Sequence, residues 1–257
     1  MSRPERAQGA QPGVTSGSER PGPQPEVIPL LRLGKLRLLG LLPRASNYTF
    51  LAEIQNNDHN TLAVYKPRAG ETPLWDFPKG TLCNREVAAY VLATALGWPA
   101  VPPTVMRDGP HGPGSVQLFV QTHPHEHYFT LAERSIEPFR PVAAFDIVAN
   151  NADRKGGHCL LGLDGTIWVV DHGVCFSDQP KLRTVIWDFA GDPIPASLGE
   201  DLRRVTDELR SGTLRQSMLE LLTGSEVDAI ARRAERLVRS GCFPRPESDR
   251  PFPWPPV

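Results

Sequence analysis

Between residues 27 and 121 short apolar, β-rich runs broken by polar and proline-containing turns predict mostly strands around one helix. Residues 35–42 are apolar with interspersed basic residues, Pro43 to Tyr48 breaks the run, and residues 49–55 resume it, which predicts a hairpin. After the polar turn at 56–60, residues 61–66 are a β-rich run ended by Pro67, so Lys66 is expected as the last residue of a strand. Residues 101–106 and 115–121 give two further strands. The exception is 84–96, where the spacing predicts a helix with Asn84 as N-cap, Gly97 as its stop, and Val87, Tyr90, Val91 and Ala95 on one face.

Helical spacing takes over beyond Gln121. A polar connector at 122–127 precedes a helix at 139–150, with Pro138 in its first turn. Residues 150–158, Asn-Asn-Ala-Asp-Arg-Lys-Gly-Gly-His, are too polar and glycine-rich for a regular element. Short strands at 159–163 and 166–170 flank Asp164-Gly165, a pair that type I′ hairpins prefer. Residues 198–210, 213–222 and 225–239 read as helices, and no internal repeat is visible.

Charge and composition narrow the function. Lys+Arg number 28 against 29 Asp+Glu, for a formal charge of −1, and no basic run exceeds Arg203-Arg204 or Arg232-Arg233, which argues against a nucleic-acid partner. No apolar stretch approaches the roughly 20 residues of a membrane span, and the N-terminus lacks a secretory apolar core, so a cytoplasmic chain is expected. The four cysteines, Cys83, Cys159, Cys175 and Cys242, form no Cys-x-x-Cys pair and are expected as buried thiols. Of the 27 prolines, five lie in residues 1–25 and six in residues 243–257, marking a disordered N-terminal tail and a proline-rich C-terminal one. The second carries Phe243, Phe252 and Trp254; it is expected to drape over the body, with a polyproline ligand as the other reading.

Three side chains converge if the hairpin has a two-residue turn. Placing Leu163 opposite Thr166 sets His158 opposite Asp171, with Cβ atoms roughly 4.5–5.5 Å apart, and Asp153 precedes His158 closely enough to reach the same mouth. Such groups hold a cation or move a proton; the plainer alternative is two loop carboxylates, with Asp153 pairing with Arg154. His123, His125 and His127 alternate, but Pro124 and the lack of a completing ligand make them a solvated linker.

Four stretches, Ala63-Val-Tyr-Lys-Pro67, Arg85-Glu-Val-Ala-Ala-Tyr90, residues 114–121, and Asn151-Ala-Asp-Arg-Lys-Gly-Gly-His158 followed by Val169-Val-Asp-His-Gly-Val-Cys-Phe176, resemble the phosphatidylinositol 3-/4-kinase family, nearest its type II and plant gamma-type branch. The resemblance covers roughly residues 36–180. It implies an α+β, two-lobed protein-kinase-like fold, with a sheet-plus-helix lobe at 26–121 and a mostly helical lobe at 122–242. Lys66 would meet nucleotide phosphates, Glu86 would hold Lys66, Asp153 would serve the acceptor hydroxyl, and Asp171 would bind the metal. Ser46 and Asn47 would present backbone N–H groups to phosphate, and Val120, Gln121 and Thr122 would be the adenine-binding hinge. The implied ligands are ATP with Mg²⁺ or Mn²⁺, and the acceptor is a protein, a small molecule or an inositol lipid; a monomer is expected. One departure stands out, because His158 occupies the place of a metal-binding asparagine. A nitrogen ligand there would favour Mn²⁺, with protonation near the reference value of about 6.5 removing it, and the alternative function is a weak or inactive pseudokinase that binds nucleotide as a regulatory module.

Overall fold

The structure, a computed structural model, describes residues 27–43, 47–57 and 59–257; the expectations for residues 1–25 and for Ser46 lie outside the described residues. Strands β1 (Lys35–Leu41), β2 (Phe50–Gln55), β3 (Asn60–Pro67), β4 (Thr104–Gly109) and β5 (Gly112–Leu118) form one antiparallel sheet in the order β1-β2-β3-β5-β4. A short helix that the strand pattern does not announce, α1 (Val27–Leu33), precedes it. Leu30 and Leu31 of α1 join Ala52, Ile54, Ala63, Tyr65, Val105 and Val116 in a separate apolar cluster. Because Ala63 and Tyr65 are buried on that face of β3, the pleat turns Lys66 to the other.

Helix α2 (Leu82–Leu96) packs against β4 and β5 on one side and the C-terminal helices on the other. It starts earlier than the expected Asn84 cap. Thr81 is the N-cap, the Cys83 N–H donates to Glu71 Oε1 at 2.8 Å, and Asn84 instead donates from Nδ2 to the Leu221 carbonyl at 3.2 Å. Gly97 does end it, at φ 82°. Covered on two sides, α2 buries Arg85, Glu86, Ala88, Ala89 and Leu92, whereas Tyr90, Val91 and Ala95 of the expected stripe are only half-buried.

The remainder is mostly helical: α3 (Tyr128–Ala132), α4 (Arg140–Ala149), the hairpin β6 (Cys159–Leu161) and β7 (Ile167–Val169), then α5 (Ala196–Ser211), α6 (Thr213–Leu219) and α7 (Gly224–Ser240). Phe139, Phe145, Phe176, Leu202, Leu209 and Ile230 are wholly buried in its core. Helix α7 is defined at both ends: the Thr223 hydroxyl accepts from the Glu226 N–H, the Glu226 carboxylate accepts from the Thr223 N–H at 2.9 Å, and Gly241 closes the helix at φ 66°. Residues 243–257 lie along this body. Phe243 is buried against Phe189, the Pro251 carbonyl accepts from Thr184 N (3.0 Å) and Trp187 Nε1 (3.1 Å), and the Pro256 carbonyl accepts from Gly156 N (2.8 Å). Cys242 is exposed, unlike the other three cysteines, because it sits past the end of α7. Among the described residues no helix is long and apolar enough to cross a membrane.

One ion pair joins α2 to the helical part. Arg85 Nη2 donates to Glu226 Oε1 at 2.5 Å and Nη1 to the Cys175 carbonyl at 2.7 Å, with Arg85 wholly buried. Glu226→Ala leaves that guanidinium buried without its counter-charge and should lower unfolding free energy by about 3–5 kcal/mol in denaturant titration. Arg85→Met combined with Glu226→Leu should recover much of the loss, and a double variant no more stable than Glu226→Ala would show that the pair is not the cause.

Candidate active site

Lys66 extends from β3 into the space between α2 and the loop that follows β7. Its ammonium donates to Glu86 Oε1 and, at 2.9 Å, to Asp171 Oδ1. The other Glu86 oxygen accepts from the His172 N–H at 2.9 Å, so both carboxylate oxygens are fixed. Burial works against the Lys66 charge, but Asp171 and Glu86 outweigh it and raise its pKa. Burial pushes the Glu86 carboxyl up, with Lys66 opposing. The Lys66 ammonium holds the Asp171 carboxyl well below the usual carboxylate range.

The hairpin register differs by one residue from the two-residue turn expected at Asp164-Gly165. Cys159 faces Val169 and Leu161 faces Ile167, which leaves Leu163, Asp164 and Gly165 as a three-residue loop between Gly162 and Thr166. Gly165 takes φ 82°, the left-handed position that such loops require, so the same glycine serves a different turn. His158 therefore lies opposite Val170, whose N–H donates to the His158 carbonyl at 3.0 Å. Asp171 still meets His158, because its backbone at φ 61° turns the carboxylate back, with Nε2 to Oδ2 at 3.4 Å.

His158 is largely covered, and this desolvation lowers its pKa to about 4, so the ring is neutral at pH 7, and the expected protonation near 6.5 is corrected downward. The Lys155 N–H points at His158 Nδ1 at 3.4 Å, which assigns the ring proton to Nε2, facing Asp171. In that tautomer the Nε2 proton faces the Asp171 carboxylate, 3.4 Å away. Asp171, an ionised carboxylate with half its side-chain surface open to solvent, has the character that a hard divalent cation requires. Asp153 does not join them as a third ligand: among the described residues no three His, Cys, Asp or Glu side chains are placed to hold a metal. Its carboxylate pairs with Lys155 at 3.4 Å, not with Arg154, and burial raises its pKa while Lys155 opposes.

Arg154 instead pairs with Asp146 of α4, both wholly buried. Its Nη1 donates to the Val170 carbonyl at 2.9 Å, its Nη2 lies 2.8 Å from His172 Nε2, and Asp146 also accepts from Asn151 Nδ2 (3.0 Å) and Thr184 Oγ1 (3.1 Å). This network, which the pattern of motifs did not include, holds the loop of Asp153 against the loop of Asp171. A carboxylate within the apolar run Val142-Ala-Ala-Phe145 and Ile147-Val148 was the available signal, since a buried charge must be paired.

The connector between the sheet and the helical part is anchored on both sides. Phe119 N donates to the Leu62 carbonyl at 2.9 Å, Leu163 N to the Gln121 carbonyl at 3.1 Å, and Thr122 bridges to Gly162. Of the three expected hinge residues, Gln121 thus has its carbonyl engaged, while among the described residues the Val120 amide and carbonyl have no partner. Asn47 Oδ1 accepts from Thr72 N at 2.7 Å, tying the β1–β2 turn to the neighbouring loop. His127 opens α3 as its N-cap, and His123 N donates to the Leu161 carbonyl at 2.8 Å, so these two belong to the connector's backbone framework.

No protein-family model matches the chain. It is 38% identical to Protein Rv2133c of Mycobacterium tuberculosis over 257 aligned residues, 86% of this chain and 92% of that protein. It is 30% identical over 122 residues to Phosphatidylinositol 4-kinase gamma 4 of Oryza sativa subsp. japonica; the match takes in 40% of this chain and spans only 22% of that protein. The crystal structure of a Helicobacter pylori proinflammatory kinase, CtkA, aligns with a TM-score of 0.51 over 83% of this chain and 94% of that one, at 13% identity. The fold is therefore α+β, two-lobed and kinase-like, as the motifs implied.

Neutral His158 has a consequence for acid stability. Its folded pKa, about 4, lies below the unfolded value of about 6.5, so the unfolded chain binds the extra proton and stability is lost as pH falls between those values. In metal-free buffer, the unfolding free energy of wild type should drop more steeply than that of His158→Asn by about 1.2 kcal/mol between pH 6 and pH 5. Parallel pH profiles for the two proteins would mean that His158 is not held neutral by burial.

Proposed function

We propose that this chain, which belongs to the same family as Protein Rv2133c, is an ATP-dependent phosphotransferase of the phosphatidylinositol 3-/4-kinase-like type, acting on an alcohol of a protein, a small molecule or an inositol lipid. The single observation that carries this reading is the Lys66 ammonium held between Glu86 and Asp171, with the other Glu86 oxygen on the His172 amide. A cation fixed by two carboxylates from separate elements is a costly arrangement for a purely structural role, and it suits a chain of phosphates placed beside it.

In this reading Lys66 binds the phosphates of ATP, and Glu86 keeps its ammonium in place. Val120, with a free backbone donor and acceptor, takes the adenine edge together with Gln121 and Thr122, and the turn at Ser46 and Asn47 covers the phosphates. Asp171 would hold Mg²⁺ or Mn²⁺, which supplies charge neutralisation at the phosphate oxygens. His158 orients the Asp171 carboxylate. The Asp153 carboxylate, its basicity raised by burial, accepts the proton of the acceptor hydroxyl as that oxygen bonds the terminal phosphorus; the bond to the bridging oxygen breaks, and ADP leaves with the electron pair. A nucleotide-binding module without turnover is the second reading. What favours it is His158 in place of the metal-binding asparagine, with a ring nitrogen beside Asp171 where asparagine would offer an oxygen.

Labelled ATP with protein and inositol-lipid acceptors, in Mg²⁺ and in Mn²⁺, tests the assignment through two variants that should fail differently. Asp171→Asn should weaken metal-dependent nucleotide binding, since it removes the charge that meets the metal. Asp153→Asn should bind nucleotide as wild type does and lose about 10²–10⁴-fold in turnover. Nucleotide binding without transfer or hydrolysis in wild type would decide for the regulatory module, and transfer unchanged in both variants would sink the catalytic assignment.

A further inference from the structure

A cavity of 560 Å³ lies apart from the Lys66 site, enclosed by α7, the segment 178–187 and the C-terminal segment 242–250. Seven of the chain's 28 Lys and Arg line it, against two carboxylates, Asp178 and Glu247, in a chain whose formal charge is −1. Lys181 has its own counter-charge in Asp76 at 2.9 Å. The other six cations are Arg183, Arg232, Arg233, Arg236, Arg245 and Arg250, and among the described residues none of them pairs with a carboxylate.

Arg233 is the most telling of them. Its Nε donates to the Val148 carbonyl at 2.7 Å and its Nη1 to the Ser177 carbonyl at 3.1 Å, while Nη2 is buried with no partner. Burial depresses its pKa to about 10, with the neighbouring Arg232 and Arg236 acting in the same direction and Cys175 and Asp178 opposing. A buried guanidinium with an unsatisfied N–H beside like charges is unfavourable unless an anion joins it. Arginine forks match phosphate oxygens two at a time. Arg232 and Arg236 lie one helical turn apart on α7, close enough to share one phosphate group. Ile147, Leu182, Trp187, Leu237 and Phe243 add apolar wall, and the volume falls within the roughly 300–1,000 Å³ of small-molecule sites.

We propose that this cavity binds the phosphate group of an organic phosphate, with Arg232, Arg233 and Arg236 as its anion-binding residues and the C-terminal segment as one wall. The site is separate from the nucleotide cleft, since none of Lys66, Glu86, Asp153 and Asp171 lines it.

Calorimetry on the full chain with inorganic pyrophosphate as probe tests it, using wild type, Lys66→Ala, and the double variant Arg232→Ser with Arg236→Ser. Both arginines are exposed and unpaired, so the double variant should keep the wild-type melting temperature; Arg245→Ser, on the C-terminal wall, serves if it does not. Lys66→Ala, which removes the phosphate contact of the nucleotide cleft, should still bind pyrophosphate, more weakly as salt rises, and the double arginine variant made in that background should lose about tenfold or more in affinity. A second arm distinguishes the source of the phosphate. Sedimentation with phosphatidylcholine vesicles containing phosphatidic acid, abolished in the double variant, would identify a lipid headgroup, and pyrophosphate binding without vesicle binding a soluble ligand. No pyrophosphate binding by wild type, equal binding by the arginine variants, or binding lost in Lys66→Ala would each overturn the proposal.

Discussion

The ammonium of Lys66, held between two carboxylates, is the contact on which the arrangement of the cleft depends. Glu86 lies 20 residues from it and Asp171 lies 105, so one side chain fixes a strand, a helix and a loop relative to one another. Desolvation makes this contact demanding as well as cohesive. If α2 moved away, Glu86 would remain buried without its cation, a penalty larger than the loss of a surface ion pair. Arg85, the preceding residue, reaches the opposite way, to Glu226 on α7. Two adjacent residues at one helix start thus connect the sheet to the helical part, which is why α2 is covered on two sides.

A second buried pair sets the chemistry-bearing loops. Arg154 and Asp146 are wholly covered, and between them they reach Asn151, Val170, His172 and Thr184. The consequence for Asp153 is positional. It follows Asn151, whose side chain accepts its N–H at 3.0 Å, and precedes the immobile Arg154, so its carboxylate emerges from a fixed backbone. The C-terminal segment adds a further tie through the Pro256 carbonyl on Gly156, three residues beyond Asp153. Loop residues without regular structure are held here by side-chain hydrogen bonds that do for the backbone what a sheet ladder does elsewhere.

Much of this could be read from local pattern, and the exceptions have physical causes. Short β-rich runs bounded by turn residues located all five strands of the sheet, and helical spacing located α5, α6 and α7, because each has one clearly apolar face. Lys66, Glu86 and Asp171 were legible as a set through their order along the chain. Helix α1 was not, since seven residues of mostly apolar sequence carry too little periodicity to separate helix from strand. The hairpin register slipped because Asp164-Gly165 fits both a two-residue turn and a three-residue loop with glycine at the left-handed position. Arg85 and Glu226 gave almost no local sign of pairing, because they lie far apart in the sequence and only the fold brings them together, whereas Asp146 in its apolar run was a local sign that named no partner. The neutral state of His158 was likewise invisible, since it depends on how deeply the ring is covered.

The central claim is that the Lys66, Glu86 and Asp171 arrangement exists to hold a nucleotide. Isothermal titration of the full chain with ATP, in Mg²⁺ and again in Mn²⁺, addresses it most directly. The account predicts one ATP bound per chain, with an affinity that falls when the metal is chelated and when Lys66 is replaced by alanine. Absence of any ATP binding by wild-type protein in either metal would contradict it.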